Sequence, residues 1–428
     1  MKAKHFKLIY STLIGNTMEF YDFIVFAFMS NYLSKLFFTS SNSSVGLLYT
    51  FGVFASGYMT RPLGSLFFGY IGDKYGRKIS LFYSVLLVTI STLAIGFLPV
   101  YSSVGILAPC LLVLCRLLQG FSVSGEEGGA AVYLYEMLDK GRAGFAGSLV
   151  LGSAYFGVLL GSIVCLILNK IFTPQEILTV AWRIPFLLSV VLGVLSLILR
   201  SNLLESKEFL QIKKPSNPLV TMLQEHKLDI FFQVIMLAAL AVPIYVFTVF
   251  IPSYLINYVK MDAALSQSIA TIGLVFLSLC VPLFGIIADK IGYGALFIWG
   301  CLINAFCAKF AFILMSSGIF YNVIIGFTLL GIPVFAIASS TFPLLMQTYN
   351  TSVRFSAVSM VFNSTMTIFG GATPMLCVAL LNNTKNLTAP GTIVSITGIV
   401  GLSLYFIQYY LRDKFSQEEA SYDSAIST

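Results

Sequence analysis

Along this chain, long apolar runs alternate with short polar interruptions, and glycine, proline and charge collect in the interruptions. Lipid offers no partner for an unpaired backbone N–H or C=O, so an apolar run of about 20 residues crosses a bilayer as a helix. Twelve such runs stand near residues 8–37, 45–70, 79–98, 104–134, 143–169, 178–200, 229–258, 266–288, 295–315, 319–343, 353–381 and 391–411. They predict an all-α integral membrane protein. The longest polar interval holds Pro215 and Pro218 and falls at mid-chain. It divides the sequence into an N-terminal six-helix bundle (1–200), a cytoplasmic linker (201–228), a C-terminal six-helix bundle (229–412) and a short polar tail (413–428) that reads as lacking regular structure.

Composition agrees with this pattern. The chain is 57% hydrophobic and only 10% charged, with a mean hydropathy of +0.90, where a soluble domain carries roughly 25% charged residues. The first run is long, contains Glu19 and Asp22 and is followed by no small-residue cleavage site, so it is expected to remain as a helix. The net charge of +7 does not form a patch for nucleic acid. Lys74, Arg77, Lys78, Lys140, Arg142, Arg200, Lys207, Lys290, Arg354 and Arg412 follow alternate interruptions, and the others hold only Lys35, Lys170, Lys260 and Lys385. That bias puts both termini in the cytoplasm of a bacterial-type inner membrane. All seven cysteines lie inside apolar runs and the only histidines are His5 and His226, so neither a disulfide framework, a metal centre nor an enzyme's catalytic triad is expected.

A charge near the bilayer centre costs on the order of 2.5–3.5 kcal/mol, so the few deep ones point to function. Glu19 lies eleven residues after Leu8, about 16 Å along a helix and near the middle of a ~30 Å core. Asp22 follows on roughly the same face. Arg116 is the only basic residue of the fourth run, with Gln119 and Glu127 on its stripe. Rotation by about 100° per residue sets Glu127 almost over Arg116 and Glu126 about 80° away. Arg116 is suited to fork onto a substrate carboxylate or to neutralise Glu19 or Asp22. Arg61 is expected to pair with a carboxylate of its own bundle. The second half keeps its acids at span ends and offers Pro243, Tyr245, Phe250, Pro252, Tyr254 and Asn257 in one run, a candidate cavity wall.

The most informative interruption is Gly69-Tyr70-Ile71-Gly72-Asp73-Lys74-Tyr75-Gly76-Arg77-Lys78, and a worn copy returns 216 positions later at Gly285, Asp289, Lys290 and Gly292. This motif resembles the loop between the second and third helices of the major facilitator superfamily. Gly15-Asn16-Thr17-Met18-Glu19-Phe20-Tyr21-Asp22-Phe23, Arg61-Pro62-Leu63-Gly64, Arg116-Leu117-Leu118-Gln119-Gly120-Phe121-Ser122 with Gly125-Glu126, and Trp182-Arg183-Ile184-Pro185-Phe186 resemble the metabolite:proton symporter branch. The resemblance is dense in the first half and thin in the second. It implies a major facilitator fold of twelve transmembrane helices in two six-helix bundles. It further implies proton-coupled uptake of a small organic acid, a dicarboxylate such as 2-oxoglutarate; the alternatives are symport of a zwitterion such as proline or betaine, or an uncoupled uniporter or exchanger. Protons would be the coupling ion, with no other cofactor and no metal, and one chain in the bilayer would suffice.

By that resemblance, proton coupling falls to Glu19, Asp22 and Glu126, Glu127 standing where the usual pattern has no acid. Substrate contact falls to Arg116, Gln119, Tyr21, Arg61, Tyr245 and Asn257. A cytoplasmic gate is assigned to Gly69, Asp73, Gly76, Arg77, Glu136, Arg142, Arg200, Glu205 and Asp289. Surface ion pairs are individually weak, so such a gate needs several together. The charged latch is expected mainly in the first half, because Tyr293 and Gly294 stand where Arg77 and Lys78 do.

Overall fold

A computed structural model describes residues 3–38, 43–138, 141–212 and 216–426. Every regular element among them is helical. We number the spans α1 (Ala3–Phe28 and Ser30–Phe37), α2 (Ser43–Met59 and Arg61–Lys74), α3 (Arg77–Phe97), α4 (Leu107–Met137), α5 (Ala143–Ile171) and α6 (Ala181–Ser201) in the first half. The second half holds α7 (Pro218–Asn257), α8 (Ala263–Ile291), α9 (Tyr293–Ser316), α10 (Phe320–Thr348), α11 (Arg354–Thr384) and α12 (Ala389–Ile426). Among the described residues, ten helices are individually long and apolar enough to cross a membrane, and the interrupted α1 and α2 complete the twelve.

The interruptions have local causes. In α2 the helix restarts at Arg61 with Pro62 in its first turn, where a missing N–H costs nothing, and Thr60 Oγ1 turns to donate to Leu117 O at 2.9 Å. In α4 the helix stops at Val123 and resumes at Glu127 after a turn through Ser124, Gly125 and Glu126. In α7, Pro243 cannot donate to the carbonyl four residues back, and Asn304 Nδ2 of α9 reaches that Ala239 oxygen at 3.4 Å. A π-helical turn follows at Val246–Phe250, matched by another at Met366–Gly370 in α11. The last helix runs on to Ile426 where a tail without regular structure was expected. Residues 412–426 contain neither glycine nor proline, and they extend a helix that is already nucleated.

The halves meet through two related pairs of spans, α2 with α11 and α5 with α8. Glycines set the approach. A Cβ on Gly69 would lie 2.6 Å from Ser356 Cα, and one on Gly144 would lie 2.6 Å from Gly285 O. On the side away from the basic loops, the first half has its own core, where Phe37 and Trp182 meet edge to face at 5.5 Å.

Candidate functional site

Two charged regions stand out, one buried within the first half and one where the halves meet at the ends carrying the basic loops, called here the basic face.

In the first region α1 carries Glu19 and Asp22, 1% and 2% exposed. Neither oxygen of Glu19 has a hydrogen-bond partner, nor has Oδ1 of Asp22. Asp22 lies against the hydroxyls of Thr92 in α3 and Ser189 in α6. Arg200 of α6 enters beside Gly15, its guanidinium filling the space a Cβ there would need. It forms a buried, two-pronged ion pair with Glu126 and donates to Leu81 O at 2.5 Å. Arg200, expected at the gate, is therefore held inside the bundle. Glu126 completes its partners with Ser84 Oγ at 3.2 Å.

The wheel argument for Glu126 and Glu127 fails for a physical reason: the turn at Ser124–Glu126 resets the helical phase. Glu126 turns to Arg200, while Glu127 lies within electrostatic reach of Arg61, Tyr155 and Tyr245.

Arg116 is fully buried, and no carboxylate of the described residues pairs with it. Its Nη1 donates to Gln119 Oε1 at 2.7 Å and Phe23 O at 3.2 Å, and Nε and Nη2 have no partner. Aromatic rings surround it, those of Phe23 and Phe26 at 4.4 Å and Phe54 at 5.0 Å. Gln119 Nε2 continues the chain to Thr92 Oγ1 at 2.6 Å. Among the described residues Arg61 forms no ion pair either. It lies over Tyr58 at 4.4 Å and Phe23 at 4.6 Å, with Nε unpartnered, so rings take the place of the carboxylate expected for it. Tyr245 of α7 approaches edge-on to Tyr58 at 6.3 Å, which brings the second half to this site.

Two residues expected in the site are elsewhere. Tyr21 points into the first half's own core and donates to Pro185 O at 2.9 Å. Asn257, at the end of its helix, is exposed and bonds Ser253 at 3.0 Å.

The second region centres on Asp73 and Arg77, both fully buried. Arg77 donates to Asp73 Oδ1, Gly72 O and Thr351 O, each at 2.7 Å, and to Glu136 Oε1 at 3.2 Å. The Asp73 oxygens accept the N–H groups of Phe355 and Ser356, at 3.2 and 2.8 Å, in the first turn of α11. Val353 precedes that helix and has no side-chain acceptor, so the other half supplies its cap. Asp289 does the same for α5, which Arg142 precedes, accepting from Gly144 N at 2.7 Å and Phe145 N at 3.0 Å.

Gly69 makes the close approach of α2 to α11, and Gly76 takes a φ of +134°, which turns the chain so that Glu205 accepts from Arg77 N at 3.1 Å and Lys78 N at 3.3 Å. Arg142 is exposed and outside the network. Its counterpart in the second half, Arg354, is inside it, bonding Glu136 at 3.3 Å and Glu208 at 3.2 Å. Ser206 Oγ donates to Glu136 Oε2 at 2.5 Å, and the Phe209 ring lies 4.8 Å from Arg77. Arg354, Ser206, Glu208 and Phe209 were not anticipated, although Arg354 opens α11 as Arg142 precedes α5, a repeat that was there to be read.

Comparison with known proteins agrees with this architecture. A family model described as "Sugar (and other) transporter" matches residues 8–225. A putative proline/betaine transporter of Staphylococcus aureus (strain MSSA476) is 34% identical over 408 residues, 94% of this chain and 87% of that protein. The proline/betaine transporter of Salmonella typhimurium is 31% identical over 415 residues, covering 92% and 82%. Among solved structures, the major facilitator proton:xylose symporter XylE bound to 6-bromo-6-deoxy-D-glucose superposes with a TM-score of 0.71 at 18% identity over 95% of each chain. With twelve spans, two halves joined through α2–α11 and α5–α8, and these relatives, the chain belongs to the sugar (and other) transporter family of the major facilitator superfamily, and is a multi-pass membrane transporter.

Proposed function

We propose that this protein is a proton-coupled symporter that takes a small zwitterion of the proline or betaine type into the cell. The supporting observation is a balance of buried charge. Arg61, Arg116 and Arg200 bring three guanidinium groups to the first half's interior, and Glu19, Asp22, Glu126 and Glu127 bring four carboxyl groups. Only Glu126 and Arg200 pair directly. One bound proton makes the set neutral, and a substrate without net charge keeps it so. A dicarboxylate would add two negative charges to a site already rich in them, so the dicarboxylate suggested by the sequence motifs gives way to a zwitterion, in line with the names of the similar proteins.

In this reading the unpartnered Nε and Nη2 of Arg116 and Nε of Arg61 receive the substrate carboxylate. The unpartnered carboxyl of Glu19, flanked by Asp22, Glu126 and Arg200, carries the proton. The basic face is cytoplasmic, its latched ends make this the outward-facing form, and the halves rock about the central site. Each chain holds a whole site, so a single copy transports.

The test is uptake of labelled proline and betaine into proteoliposomes under an imposed pH gradient. Accumulation should collapse with a protonophore; accumulation that survives it would overturn the coupling. Glu19→Gln should abolish accumulation and leave counterflow, and retained accumulation would move the proton to Asp22 or Glu126.

A further inference from the structure

Glu127 enters the charge balance above but is given no step in coupling or substrate contact, yet it is an acid buried in a membrane protein. It is 5% exposed, and no hydrogen bond or ion pair reaches it among the described residues. Unlike the oxygens of Glu19, its oxygens are not among those sealed without a partner, so its carboxylate keeps an opening. The following turn is fixed hard against the second half. A Cβ on Gly128 would lie 2.8 Å from Ser359 Cα, and one on Gly129 would meet the Phe355 ring. After the interruption at Ser124–Glu126, Glu127 thus stands beside the contact between the halves, within electrostatic reach of Tyr245 of α7.

Donors and acceptor adjoin here. Arg61 and Arg116 carry unpartnered donors among Phe23, Phe26 and Phe54, and Arg61 lies within electrostatic reach of Glu127. Across the Tyr58 ring, on which Arg61 lies, Tyr245 comes in from α7, backed by Gly370 where a Cβ would meet its ring at 2.5 Å. Tyr155 and Tyr245 each lie within electrostatic reach of Glu127. A carboxylate beside tyrosine rings is the chemistry that recognises an ammonium group, quaternary ones included.

We infer that Glu127, with Tyr245 and Tyr155, binds the cationic end of the substrate and thereby sets the preference for a zwitterion over a simple carboxylic acid. This rests on the zwitterion reading above, and it assigns Glu127 to specificity and not to the proton. The residue touches substrate only while the halves are together on the basic face, because its turn is packed against α11.

The test compares betaine with tert-butylacetate, in which carbon replaces the quaternary nitrogen and shape is kept. Counterflow, which needs no proton gradient, is measured for wild type, Glu127→Gln and Glu127→Asp. The wild type should prefer betaine. Glu127→Gln should raise the KM for betaine by about tenfold to a hundredfold and leave or improve tert-butylacetate, since one partner of a desolvated charge pair is gone. Glu127→Asp should recover part of the betaine preference. An unchanged betaine KM in Glu127→Gln overturns the inference while leaving the transporter reading intact, as does equal loss of both substrates with no recovery in Glu127→Asp. A wild type that moves tert-butylacetate but not betaine removes the zwitterion reading itself, and this inference with it.

Discussion

The two ends of the interface between the halves are built alike and reinforced differently. Asp73 of α2 caps α11, and Asp289 of α8 caps α5, each through two first-turn N–H groups, at 3.2 and 2.8 Å in one case and 2.7 and 3.0 Å in the other. Four residues after Asp73 comes Arg77, tied on to Glu136 and, through it, to Arg354 and Ser206. Four residues after Asp289 comes Tyr293, whose hydroxyl donates back to the same carboxylate at 3.1 Å and lies against the Ala143 N–H at the start of α5, with no ion pair extending from it among the described residues. The difference teaches that the repeated function of the motif is to cap a helix of the opposite half, and that the ion-pair network is an addition to one side. The second copy is worn in its charges and intact in its cap. The network is also buried and not superficial, so its members are costly to strand one at a time.

Changes that separate cap from network sharpen this comparison. The largest effect is expected for Arg77→Ala, which leaves Asp73 buried without its cation and Glu136 with Arg354 alone, and should destabilise the latched form by about 3–5 kcal/mol. Thiol labelling of Ser359→Cys in a cysteine-free background reads the opening of this face, and unchanged labelling would make the ion pairs ornamental. Asp73→Asn should cost roughly 2 kcal/mol, since it weakens the cap and also leaves Arg77 short of a partner, whereas Asp289→Asn should cost about 1 kcal/mol, the cap alone. Equal shifts in the two variants would deny the asymmetry. Tyr293→Phe removes the hydroxyl that bonds Asp289 and lies against the Ala143 N–H, and should cost about 0.5–1.5 kcal/mol. Thermal unfolding in detergent ranks all four.

Hydropathy was enough to read the spans, because lipid imposes one solution on an apolar run. The deep burial of Glu19 and Asp22 followed from counting along a straight helix. The same counting misjudged Glu126 and Glu127, where three residues of turn intervene, and so missed the partnership of Glu126 with Arg200. The surroundings of Arg61 and Arg116 were not legible because the rings over them come from two spans, α1 and α2, with Tyr245 of a third behind Tyr58, and leave no spacing in sequence. Asp289 was placed at the gate, but its capping role was not legible, because its partners in α5 are backbone amides, which every residue but proline carries and no motif records.

The caps also change what it means for this face to open. Phe355, Ser356, Gly144 and Phe145 lend their amide hydrogens to carboxylates that travel with the opposite half. When the halves part, the first turns of α5 and α11 lose their terminators together, and the residues before them, Arg142 and Val353, have no side-chain oxygen to substitute. Under the proposed rocking of the halves, the cycle includes a small, paired melting of helix ends, and these four amides should exchange their hydrogens at the pace of turnover.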